Sequence, residues 1–95
     1  MIAGDNGRYS VQGSITMANA KALLEQGAGL LSGHDAVVDF GQVEEVDSSA
    51  IGLMLAWLRS AAEQKRTLRF SHLPENLKTL AALYGVLDLI PQDES

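Results

Sequence analysis

Three consecutive residues, Asp47, Ser48 and Ser49, stand directly ahead of an apolar stretch and carry the most pointed chemistry in this 95-residue chain. At the start of a helix the first backbone N–H groups have no partner inside the helix. An Asp or Ser placed there accepts from them and stabilises the helix by about 1 kcal/mol. The same N–H groups, with the positive end of the helix behind them, also favour a phosphate. Phosphorylation of Ser48 would add up to about two negative charges beside Asp47, Glu44 and Glu45, which could switch a docking surface off by repulsion. On the residues alone the plain cap is the commoner use, and the modifiable hydroxyl stays open beside it.

Other chemistries lack their residues. There is no GxxxxGK loop to hold a nucleotide for hydrolysis, no HExxH, no pair of His at helical spacing and no EF-hand run of carboxylates. His34 and His72 each stand beside or at the end of a strand pattern and read as surface or loop residues. A serine hydrolase would need a nucleophile elbow and a partner His. Glu44 and Glu45 are neighbours on an extended segment, so they point apart and read as a solvated turn rather than an acid/base pair. Cysteine is absent, which removes disulfides and thiolate chemistry. The expectation is a chain that is no enzyme and takes no cofactor and no metal. A net charge of −5 argues against nucleic acid as a partner. Met1–Gly7 has neither the basic nor the apolar part of a secretory signal, and the apolar runs fall far short of the roughly 20 residues that span a bilayer.

Elements must position the Asp47 junction. Residues 1–7, rich in Gly, Asp and Asn, read as a flexible leader. Tyr9 and Val11 alternate with polar neighbours over Arg8–Gln12, the pattern of a short strand, here one at a sheet edge. Thr16 is placed to cap a helix over Met17–Leu31, with Ala20, Leu23, Leu24, Gly27 and Leu31 on one face. Gly27 on that stripe either permits close packing or marks a frayed end. Ala36–Phe40 is a β-branched run that suits a buried strand, followed by a polar connection over 42–47. The next helix runs from Ser48 to about Gln64, where Lys65 and Arg66 complement its negative end. Leu68 and Phe70 alternate inward in a strand over Thr67–Ser71. Pro74 opens a third helix with Leu77, Leu80, Ala81 and Tyr84 inward and Gly85 past its end. Leu87, Leu89 and Ile90 close the core. Alternation of this kind implies one α/β domain over 8–92, a small parallel or mixed sheet packed by about three to four helices, before an acidic tail at 93–95.

On a helical wheel the Ser48 helix gathers Ile51, Leu55, Leu58 and Ala62 on one side and Leu53, Ala56, Trp57 and Ser60 on the other. A helix facing only its own core is polar on its far side. An exposed Leu53 and Trp57, one turn apart, are therefore expected to anchor a partner protein, tryptophan being enriched at interface hot spots. The alternative is that Trp57 covers a neighbouring helix edge within the domain.

The segment VVDFGQVEEVDSSAIGLMLAWL, Val37 to Leu58, resembles the STAS domain family (sulfate transporter and anti-sigma factor antagonist). In anti-sigma factor antagonists of that family the serine directly after the Asp is phosphorylated, which by position is Ser48, and the partner is an anti-sigma factor kinase. Ala50 departs from the Gly usually found two residues after that serine. A narrower resemblance, carried by Trp57 and by HLPENLKTLAALYGVLDLI from His72 to Ile90, is to the MlaB group, the STAS subunits of bacterial lipid-asymmetry ABC transporters. It implies a cytoplasmic, non-catalytic subunit bound to an MlaF-like ATPase, held at the inner membrane by its complex with no inserted segment of its own. Ser48 is the contact position that this resemblance carries over. With the wheel, the expected partner surface is Asp47, Ser48, Ser49, Leu53, Trp57 and Ser60.

Overall fold

Asn6 and Gly7 both take positive φ, 53° and 84°, the conformation of a two-residue hairpin turn that Asn-Gly favours. They join strand β1 (Ile2–Asp5) to β2 (Arg8–Ile15), with Ile2 opposite Val11 and Asp5 opposite Arg8. The computed structural model describes residues 2–31 and 33–93. The leader expected to be flexible is thus, over its described residues, one arm of a hairpin, and β2 becomes an interior strand instead of an edge. Reading the Gly, Asp and Asn as composition hid a turn of fixed geometry. Met1, and residues 94 and 95 of the expected acidic tail, lie outside the described residues.

From β2 the chain alternates through α1 (Ala20–Leu30), β3 (Ala36–Val46), α2 (Ser49–Glu63), β4 (Leu68–Ser71) and α3 (Glu75–Leu83), then a 3₁₀ turn at Leu87–Leu89. The sheet order is β1-β2-β3-β4, antiparallel for the first pair and parallel for the other two. Two successive crossovers between neighbouring parallel strands step the same way across the sheet, and α1 and α2 pack against each other on one face of it. On that face Val11, Ile15, Val38, Phe40 and Phe70 are fully buried, and Phe40 meets Phe70 edge-on at 5.6 Å. Val37 and Asp39 alternate with them and point to the other, uncovered face.

β3 outlasts its apolar run. Ser14 pairs with Glu45 and Ile15 with Val46, so the expected polar connection over 42–47 is mostly strand, made by the length of β2 and not by local residue type. Register shifts at Ser10/Gln12 and Gly13/Ser14 leave Glu44 and Glu45 both exposed. α1 starts later than Thr16 would have it: the Thr16 N–H donates to Asn19 Oδ1 at 2.9 Å, and Asn19 takes the cap position. α3 ends as expected, with Gly85 at φ 72° and the Val86 N–H donating to the Ala81 carbonyl at 2.9 Å. Tyr84, expected inward, is 57% exposed there, because it has already reached the helix end. Beyond it the chain returns to β4, where the Phe70 N–H donates to the Pro91 carbonyl at 3.0 Å and the Asp93 N–H to the Phe70 carbonyl at 2.8 Å.

Candidate functional site: the head and outer face of α2

The three residues at the junction have three different jobs. Asp47 lies outside the helix, and its carboxylate accepts from the Ser49 N–H at 2.8 Å, from the Ser49 hydroxyl and from the Met17 N–H at 3.0 Å. Its own N–H donates to the Ile15 carbonyl at 3.1 Å. Asp47 therefore caps α2 and ties it to the turn that follows β2. Those bonds, the Ser49 hydroxyl first and then the Met17 and Ser49 N–H groups, hold the Asp47 carboxyl below its ordinary value of 3.8. Ser49 spends its hydroxyl on this clamp. Ser48 occupies the cap position without making a side-chain cap bond and is exposed, so its hydroxyl is the one left open to solvent.

The expected anchor is elsewhere. Leu53 and Trp57 are only 4% and 3% exposed. Trp57 is a wedge between α1 and α2: a Cβ at Gly27 would overlap its indole, and its Nε1 donates a long bond, 3.4 Å, to the Leu24 carbonyl. Ser60 is half-buried and lines the crevice of the same seam with Gly27, Ala28 and Leu31. The physical reason is that α2 packs against α1, α3 and the sheet at once, and Ile51, Leu53, Met54 and Trp57 are all buried by that cover. A helix apolar over so wide an arc is buried over that arc. Of the six residues expected to meet a partner, Asp47, Ser48 and Ser49 gather at the head of α2, while Leu53, Trp57 and Ser60 lie in an internal seam.

What α2 leaves uncovered is a narrower strip. Ser48, Gly52 and Arg59 are exposed, with Leu55 and Ala56 half-buried among them, at the spacing of one helix face. Met17, whose N–H is held by Asp47, is 82% exposed beside the head of that strip. Sequence reasoning missed Met17, Gly52 and Arg59. The available signal was Gly27, a missing side chain on the stripe of α1 that asks for one large ring opposite it.

The histidines serve elsewhere: His34 Nε2 lies 2.9 Å from the Tyr9 hydroxyl, and His72 Nδ1 lies 3.2 Å from Asp39 Oδ1. Among the described residues no group of three or more His, Cys, Asp or Glu could hold a metal, and no helix is long and apolar enough to cross a membrane.

A mixed sheet with its crossover helices on one face, and a capped helix head that offers one free hydroxyl, define an interaction domain of the STAS class. The chain belongs to that family: its description "Mlab, STAS domain" matches over residues 2–91. Among curated proteins none matches the sequence. Among solved structures, a proposed anti-sigma factor antagonist from Thermotoga maritima superposes with a TM-score of 0.81 at 11% identity, covering 100% of this chain and 86% of that one. The anti-sigma factor antagonist SpoIIAA in its unphosphorylated form superposes with a TM-score of 0.77 at 10% identity, covering 100% and 88%. At such identities the likeness is one of fold. Family membership places the chain among domains that regulate and bind other proteins.

Proposed function

We propose that this chain is a regulatory and assembly subunit of a bacterial phospholipid ABC transporter that maintains lipid asymmetry. It does no chemistry itself; it binds the ATPase subunit through the head and outer face of α2, and stabilises or activates it. The carrying observation is the division of α2: its Leu53 and Trp57 side is spent inside the fold, while Ser48, Gly52 and Arg59 lie open behind a capped head. The family description supports this partner over others. In this reading the protein works in the cytoplasm and sits at the inner membrane only through its complex. Co-purification of the tagged chain with that ATPase tests the partner, and Ser48→Trp tests the surface. A bulky ring at the head of α2 should hold the partner off and weaken binding about tenfold or more; unchanged affinity would remove Ser48 from the interface.

A second reading is favoured by the contrast between the two hydroxyls. Ser49 donates to Asp47 and Ser48 does not, as suits an anti-sigma factor antagonist switched by a kinase at Ser48. Mass spectrometry of the protein taken from stressed cells should then find one phosphate on Ser48, and its absence under every condition would retire this reading.

A further inference from the structure

The outer face of α2 holds a residue that its own fold does not require. Gly52 lies in the helix interior, where glycine is less favourable than any residue except proline. The ordinary reasons for a glycine fail there. Its φ is not in the left-handed region, and it stands at neither end of the helix. An added Cβ would meet nothing within 4 Å. Gly27 is the opposite case, since the Trp57 indole occupies the space its side chain would need. Gly52 is one turn beyond Ser48 on the same side of α2, and both are exposed. The surface around that head is lopsided in charge, with Glu44 and Glu45 exposed on the last residues of β3 and Asp47 next to them. Met17, almost wholly exposed, adds one large apolar side chain beside Asp47.

We infer that Gly52 is a notch kept open for the partner, in which a bulky apolar side chain of a protein with a basic rim seats against α2, the rim facing Glu44, Glu45 and Asp47. The inference rests on the docking face proposed above and adds the chemistry of what docks there. A side chain at position 52 would hold the partner off the helix. It would cost the isolated chain nothing and would improve its helix, so binding and stability should move in opposite directions.

The test compares wild type, Gly52→Ala, Gly52→Leu and Gly29→Ala, reading each chain's Tm and its affinity for the purified ATPase subunit by calorimetry at two salt concentrations. Gly29 is the control, equally unobstructed but in the last turn of α1. All three substitutions should keep or raise Tm. Gly29→Ala should bind like wild type, Gly52→Ala about three- to tenfold more weakly, and Gly52→Leu about 100-fold more weakly. Affinity that falls as salt rises supports the basic rim, and affinity indifferent to salt overturns it. If wild type binds and Gly52→Leu binds equally well, the notch is wrong and the ATPase reading survives. If wild type does not bind, the ATPase reading fails and takes the notch with it. A Gly52→Leu chain melting below wild type would show that the fold itself uses the glycine, which also overturns the inference.

Discussion

Leu53 and Trp57, where α2 turns towards α1, are 4% and 3% exposed, whereas Ser48, Gly52 and Arg59 on the uncovered side stand in solvent. The two sides belong to one 15-residue helix. The side richest in residues typical of interfaces is the internal one, and the side left uncovered is modest in size and chemistry. Residue type therefore said less about exposure than supply of cover did. α1 supplies a Gly27 cleft that fits an indole, while no described element of the chain supplies anything over Gly52.

The sharpest way to break this contrast is Trp57→Ala. If Trp57 is a wedge, the substitution should destabilise the fold by about 3–5 kcal/mol in a denaturant titration. A docking role would instead leave stability near wild type. Gly27→Ala attacks the same seam from the other wall and should cost about 1–3 kcal/mol, since the Trp57 ring must move or α1 must lift. At the far end of α2, Lys65 takes φ 58° so that the Arg66 N–H can reach the Ala61 carbonyl at 2.8 Å. Lys65→Gly should relieve that left-handed residue and gain about 1 kcal/mol or less, read as a small rise in Tm with no change in binding. The smallest effect is a stabilisation present at neutral pH and lost in acid. The folded-state pKa of Asp47 lies below 3.8, so its bonds stabilise the fold above that value and are lost as pH falls through the lowered one. Asp47→Asn should lower stability at neutral pH and flatten its decline below about pH 4.

Much of the frame was legible because its signals are local. The buried run at Ala36–Phe40, the helix from Ser48, the Pro74 start and the Gly85 stop are each written within a few neighbouring residues. What escaped depends on partners far along the chain. The extension of β3 to Val46 is set by the length of β2, and the burial of Trp57 is decided by Gly27 on another helix. The Asn6-Gly7 hairpin was local and readable, but only as a turn between strands, not as a composition. At the site, the Asp47 junction was legible as a helix head. The division of labour between Ser48 and Ser49 was not, because it turns on which hydroxyl a single carboxylate can reach.

Trp57 is the only tryptophan in the chain, and the seam that buries it makes it a built-in optical probe of a particular kind. Its emission should be blue-shifted in the folded protein and move to the red as α1 and α2 part, tracking the loss of the core. A protein that lands on the outer face of α2 leaves that ring untouched. The chain's intrinsic fluorescence should therefore report faithfully on folding while staying blind to docking, and an extrinsic label near Gly52 would be needed to see a partner arrive.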